Sequence, residues 1–233
     1  MEEKIKLKIR RYNPKTGKKP RFENFTLVMD PNMSVLDALE IVRTEQDSSL
    51  LYRHSCHHSS CGTCGMIING KERLACVTPI SQLKKRPITL EPLSGFPAIG
   101  DLAVDMTSFY KDIDDSWDYL RALENLENRN LPEGIGRFER FENCIECGCC
   151  FSACPASGPD KPFMGPAALA AVNTELGKSK GNEKGLLDLA GSERGEKLCE
   201  RALACNRVCE TLVYPARHIL DLRKRLSDDR WES

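Results

Sequence analysis

The chain has 233 residues, 40% of them apolar, with 34 Lys+Arg against 34 Asp+Glu. This balance excludes bulk electrostatic attraction to nucleic acid or anionic lipid, and it excludes disorder of the whole chain. The longest apolar run near the middle, Ala167 to Val172, falls far short of the ~18 residues a spanning helix needs. The opening MEEKIKLKIRRY interleaves charge with apolar residues, so no secretory signal is expected.

In chain order, Ile5, Leu7 and Ile9 alternate with Lys and Arg, the period of a strand with one wet face. Nine of residues 4–21 are Lys or Arg, and their alternating and turn positions read as a solvated face. Turn chemistry at Asn13-Pro14 and Thr16-Gly17 leads to a second strand over Phe22–Met29, giving a hairpin. Ser34 caps a helix that carries Val35, Leu36, Ala38, Leu39, Ile41 and Val42. Met66–Ile68, the turn Asn69-Gly70, a returning strand Arg73–Val77 and a short strand at Ile88–Glu91 follow, so the first hundred residues predict a sheet with one helix across it. Leu102–Leu126 reads as helical, and Pro132, Gly134 and Gly136 break the chain. Beyond them the pattern predicts helices from Pro166 to Leu176 (ended by Gly177), over Gly185–Ala190, Leu198–Val208 and Ala216–Leu226. No internal repeat or low-complexity tract is present.

Twelve cysteines without a signal point to a reducing compartment, where clusters of cysteine are metal ligands more often than disulfides. They fall in three groups. Cys56-x4-Cys61-x2-Cys64, then Cys76, is the plant-type [2Fe–2S] spacing. Gly62 and Gly65 suit a loop whose amides approach the sulfurs. The rival reading is a four-cysteine zinc site, which ordinarily shows two CxxC pairs where this loop has one. A Rieske centre would need histidines at cysteine-like positions, so His57 and His58 read as facing solvent or a partner.

Cys144-x2-Cys147-x2-Cys150-x3-Cys154-Pro155 is the bacterial ferredoxin run, in which the fourth cysteine serves another cluster. Cys199-x5-Cys205-x3-Cys209 supplies what is missing. Cys209 closes a [4Fe–4S] with Cys144, Cys147 and Cys150, while Cys154, Cys199 and Cys205 hold the other cluster. The second position of a regular Cys-x2-Cys run that starts at Cys199 is Ala202, which cannot bind iron. With three thiolates, [3Fe–4S] is the natural outcome, and a [4Fe–4S] with a non-protein ligand the alternative. Cys149 alone is spare and reads as a small buried residue. No nucleophile–base constellation, GxGxxG, P-loop or zinc-protease motif is present.

The three cysteine groups in this order, with Phe163–Leu169 (FMGPAAL) between the second and third, resemble the iron–sulfur subunit of succinate dehydrogenase and fumarate reductase from about Lys4 to Leu226. The resemblance implies an α+β chain. Residues 1–100 would be a β-grasp, plant-type ferredoxin domain holding the [2Fe–2S] cluster. Residues 101–233 would be an all-α, bacterial-ferredoxin-like domain holding the [4Fe–4S] and [3Fe–4S] clusters. It implies a flavoprotein partner with FAD, where the dicarboxylate chemistry occurs, and a membrane anchor subunit of cytochrome b type, with haem b. Electrons would pass between FAD and a membrane quinone through the three clusters, with the chain peripheral on the cytoplasmic face of the cell membrane. No nucleic acid is implied.

The chain departs from the family pattern in three places. Glu210 follows the last cysteine, where Pro is common. Pro155–Pro159 lacks the Trp, and Glu200 replaces the His, that ubiquinone-type members carry. The last two departures favour menaquinone, or an acceptor other than quinone. The alternative is the same relay in a soluble, thiol-linked fumarate reductase. A rival of another class is a zinc-stabilised interaction module.

Overall fold

The structure, a computed structural model, describes residues 3–84, 86–114, 117, 144–178 and 182–228. They form two compact units, Met1–Met106 with Ile145–Ala153, and Thr107–Cys144 with Cys154–Ser233.

The first unit is built on a five-stranded mixed sheet, ordered β2-β1-β5-β3-β4. β1 (Lys4–Arg11) buries Ile5, Leu7 and Ile9 on one face, as its alternation predicts. It pairs antiparallel with β2 (Arg21–Val28), from Lys4 opposite Val28 to Arg11 opposite Arg21. β3 (Gly65–Ile68) and β4 (Lys71–Leu74) form the second hairpin. β5 (Ile88–Glu91) is parallel to β1 and antiparallel to β3, and joins the two hairpins. Helix α1 (Val35–Ile41) starts at a capping box. Ser34 Oγ accepts from Asp37 N (3.1 Å), and Asp37 Oδ2 accepts from Ser34 N (2.8 Å). Val35, Leu36, Ala38 and Leu39 lie in one core cluster with the inward residues of the sheet. Truncating Leu36 to Ala would cost about 2–5 kcal/mol through lost transfer energy and the cavity left behind.

A buried polar knot ties the sheet to the segment that leads into the first cysteine loop. Asp101, between β6 (Ala98–Gly100) and β7 (Ala103–Val104), accepts from Tyr12 N at 2.8 Å and from Leu51 N at 2.9 Å. Arg11 Nε lies 3.2 Å from the same carboxylate, and its Nη1 reaches Asp47 and Glu23 at 2.5 and 2.9 Å. Three carboxylates thus surround a buried guanidinium and offset its desolvation.

Three sequence expectations change. The returning strand ends at Leu74 rather than Val77, and Ala75–Val77 is a 3₁₀ turn that carries Cys76. The ladder stops because Ala75 N turns to Cys64 O (3.2 Å) and the Thr78 hydroxyl donates to Leu74 O (2.7 Å). The start of the Leu102–Leu126 helix is instead β7 followed by the short α2 (Thr107–Tyr110), because Val104 pairs with Ala98. Residues 115, 116 and 118–126 of that predicted helix lie outside the described residues.

The third change is in the second unit, which is helical. α4 (Pro166–Gly177) is buried from Pro166 through Leu176, the signature of a helix surrounded by protein. α5 (Glu183–Gly191) and the amphipathic α7 (Pro215–Asp228) pack with it, α7 burying Ile219 and Leu222. The expected helix over Leu198–Val208 is a 3₁₀ turn at Glu196–Leu198, a kinked connection and a single turn, α6 (Ala204–Arg207). Arg201 and Leu203 adopt φ of 57° and 56°, which interrupts the helical ladder.

Candidate iron–sulfur centres

The first cysteine loop leaves the buried Leu50 and Tyr52 and returns into β3 at Gly65. Its backbone closes round its own sulfurs. Ser60 N and His58 N lie 3.3 and 3.5 Å from Cys56 Sγ, and Cys56 N lies 3.5 Å from Cys61 Sγ. Hydrogen bonds from Ser60 and then His58 hold the Cys56 thiol down to about 5, so the sulfur is already a thiolate, the form iron takes. Cys64 is the opposite case. Burial pushes its thiol up to about 12, and Cys76 hydrogen-bonds to it from the 3₁₀ turn. A bound cation would reverse that preference.

Gly62 and Gly65 serve a purpose that sequence spacing does not reveal. The amide of Gly65 donates to Gly62 O at 3.2 Å rather than to a sulfur. A Cβ at Gly62 (φ 67°) would lie 2.2 Å from Ile145 O and 2.9 Å from Cys147 Cα, and one at Gly65 would lie 2.8 Å from Cys147 O. The two glycines make room for the Ile145–Cys149 backbone, which carries part of the second cysteine group. That stretch continues into α3 (Cys149–Ser152). It is fastened to the sheet by Ser152, whose hydroxyl donates to Glu72 Oε1 (2.9 Å) and accepts from Ser94 N (2.8 Å). Phe151 stacks on Phe96 with ring centroids 4.8 Å apart. Cys149 is fully buried, and its hydrogen bond to Cys147 together with burial pushes its thiol well above the ordinary range. It is the small buried residue expected of the spare cysteine.

Cys147 and Cys150 thus lie in the first unit. The other sulfurs lie in the second. Cys144 and Cys209 pack against a cluster of Ala170, Ala171 and Val213, with Trp117 beside it. Val213 N donates to Cys209 Sγ at 3.2 Å, and the left-handed Leu212 and Tyr214 on either side (φ 60° and 55°) turn that amide to the sulfur. Cys205 is buried, and its thiol is pushed up to about 11, first by burial and then by the nearby Cys154 and Cys199. The three sulfurs expected to share a cluster are therefore electrostatic neighbours.

Two side chains other than the cysteines hold this group. Arg223 Nη2 donates to Cys199 O (2.8 Å) and Glu196 O (2.7 Å), while its Nε pairs with Glu196 Oε2 at 2.5 Å. Asn206 Oδ1 accepts from Ala216 N (2.8 Å) and so caps the first turn of α7. Sequence spacing could not find either residue, because the partners come from different elements. Among the described residues, the group of three or more metal-ligating atoms within 4.8 Å of one another is Glu40, His54 and His57, none of them a cysteine. His58 is exposed, with Nε2 3.1 Å from Ser60 Oγ, and His57 is exposed beside Glu40.

Residues 6–111 match the family described as a 2Fe-2S iron-sulfur cluster binding domain, and residues 140–213 match the 4Fe-4S dicluster domain. Two cluster-binding domains of different type in one chain define an iron–sulfur electron-transfer protein. The fumarate reductase iron-sulfur subunit of Haemophilus influenzae is 30% identical over 91% of this chain and 89% of its own length. The succinate dehydrogenase iron-sulfur subunit of Coxiella burnetii is 36% identical over 94% of this chain and 95% of its own. The chain belongs to this family of iron–sulfur subunits of succinate dehydrogenases and fumarate reductases. Its fold is shared with a chain of the Mycobacterium smegmatis Sdh1 complex, at TM-score 0.84 and 23% identity over 99% of this chain and 98% of that one. Among the described residues, no helix is long and apolar enough to cross a membrane.

Proposed function

We propose that this chain relays electrons between the FAD of a flavoprotein subunit, which interconverts succinate and fumarate, and a membrane quinone. The first domain is read as a β-grasp ferredoxin domain whose Cys56, Cys61, Cys64 and Cys76 hold a [2Fe–2S] cluster. Cys144, Cys147, Cys150 and Cys209 hold a [4Fe–4S] cluster, and Cys154, Cys199 and Cys205 a [3Fe–4S] cluster. Menaquinone is favoured by Glu200 and by the absence of Trp after Pro155. The chain sits at the cytoplasmic face of the membrane on a cytochrome b-type anchor with haem b.

The clusters supply one-electron carriers whose potentials respond to hydrogen bonds, charge and burial. The protein's contribution is to fix the sulfurs and their surroundings. His58 and Ser60 amides stabilise charge on Cys56, and Val213 N does so on Cys209. The observation that carries the relay is the contact of Gly62 with the Ile145 and Cys147 backbone. It brings the first loop within van der Waals reach of a ligand of the second cluster, with no side chain between.

The test is anaerobic purification of the whole complex, followed by iron analysis and EPR during reduction by succinate and by quinol. We expect about nine irons per chain, from clusters of two, four and three irons, and both donors to reduce them. Eight irons or fewer, or the absence of a three-iron signal in oxidised material, overturns the three-cluster assignment. Fumarate reduction driven by a dithiol but not by a quinol replaces the quinone with a thiol donor.

A further inference from the structure

We propose that Glu40, His54 and His57 form a binding site for a divalent first-row cation of the zinc type, separate from the cluster ligands. Glu40 lies in the last turn of α1, His54 in the segment that enters the first cysteine loop, and His57 inside that loop, directly after Cys56. His54 Nδ1 and His57 Nε2 are 3.4 Å apart, and Glu40 Oε1 is 3.8 and 3.5 Å from them. These are not good hydrogen-bond lengths, which centre near 2.9 Å. They are close to the ~3.4 Å ligand–ligand edge of a tetrahedral site with bonds of about 2.05 Å. The in-plane point equidistant from the three atoms lies about 2.1 Å from each, and an ion raised from that plane to tetrahedral geometry would lie about 2.2 Å from each, close to zinc–ligand bond lengths. Two imidazoles and one carboxylate, half-exposed and leaving a position open to water, are the donor set of an open zinc site.

The backbone contributes to the convergence. His57 is held at φ 63°, a left-handed conformation that a residue with a Cβ rarely adopts. His54 is set by its ring contact with Tyr52, at 5.1 Å between centroids. One neighbour opposes the ion. Arg43 Nη1 lies 3.5 Å from His54 Nε2, the ring nitrogen away from the site. A metal on Nδ1 leaves the proton on Nε2, where an acceptor rather than a guanidinium would orient the ring. Arg43 therefore weakens the site without blocking it. An ion here would pin α1 to the chain on both sides of Cys56.

The test uses the intact, iron-loaded protein. After chelator treatment and desalting it is titrated with Zn²⁺, with bound zinc and retained iron counted in the same samples. We expect one zinc per chain with iron unchanged. Glu40→Gln and His54→Gln should each weaken binding by roughly tenfold or more, and Arg43→Gln should tighten it. The outcomes that overturn the site are zinc uptake matched by loss of iron, which places the ion on cysteines, affinity unchanged in both ligand variants, or no zinc retained. None of these readouts depends on electron transfer, so the site and the relay can fail separately.

Discussion

In the first unit the Cys56 sulfur lies near the surface, where hydrogen bonds from Ser60 and then His58 hold its thiol down to about 5, whereas in the second unit the Cys205 sulfur is buried and pushed up to about 11. The first arrangement stabilises thiolate before iron arrives. The second stabilises neutral thiol, so iron held there, as proposed, would have to overcome burial as it binds. The supports differ in the same way. The first loop is shaped by its own backbone and by close approach to the Ile145–Cys149 stretch. The third cysteine group is held by side chains, Arg223 reaching in from α7 and Asn206 tying the helix of Cys205 to α7. A backbone-built site is vulnerable to added volume, and a side-chain-built site to lost partners.

The largest effect should come from Gly62→Ala. Its Cβ would meet backbone at 2.2 Å, and a backbone oxygen cannot swing aside as a flexible side chain would. With the left-handed φ added, the cost should be about 3 kcal/mol or more. Gly17→Ala is the control. It shares a left-handed φ of 63° but has nothing within 4 Å, so only the conformational cost of about 1 kcal/mol should appear. The thermal midpoint and the iron content of the two variants decide this. Equal losses would mean that close packing at Gly62 contributes nothing.

Arg223→Met tests the other kind of support. It leaves the Glu196 carboxylate, whose side chain is only 8% exposed, without its partner and releases the Cys199 carbonyl. Breaking such a pair costs about 3 kcal/mol. The three-iron EPR signal should weaken while the [2Fe–2S] signal survives, and equal loss of both would deny the local role. Ala202→Cys should cost little stability, because Ala202 is exposed. It should convert the three-iron cluster toward a four-iron one and remove the oxidised-state EPR signal. An undiminished signal would contradict Cys154, Cys199 and Cys205 as that cluster's ligands.

The same contrast explains how much could be read from the sequence. The first sheet and its helix were legible because Ile5, Leu7 and Ile9 alternate, Ser34 caps the helix, and Asn69-Gly70 makes a turn, all local signals. The cysteine spacing was legible because a cluster fixes the loop lengths between its ligands. The helix expected over Leu198–Val208 failed because local propensity there is outweighed by the left-handed turns at Arg201 and Leu203. The space-making role of Gly62 and Gly65, and the hold of Arg223 on Cys199, join residues more than twenty positions apart. No pattern within a short window encodes such pairs. The Glu40–His54–His57 convergence was equally hidden, since His57 invites a reading only against its neighbour Cys56.

The smallest effect, confined to mildly acidic pH, concerns His218 in the core of the second unit. It is 3% exposed, with Nδ1 3.1 Å from Asn173 Nδ2. The amide N–H donates to Nδ1, which fixes the neutral tautomer that carries its proton on Nε2. Burial pushes the histidine below its ordinary 6.5, more strongly than the nearby Asp221 carboxylate pulls it up. A group with a lowered basic pKa binds a proton more readily unfolded than folded. Its stabilising contribution is therefore complete above pH 6.5 and is lost as pH falls from there toward the folded value. The thermal midpoint of the second unit should fall between neutral pH and pH 5. His218→Gln keeps a hydrogen-bonding side chain without the titration, so it should flatten that fall while lowering the midpoint at pH 8. Parallel pH profiles for the two proteins would assign the acid sensitivity to other groups.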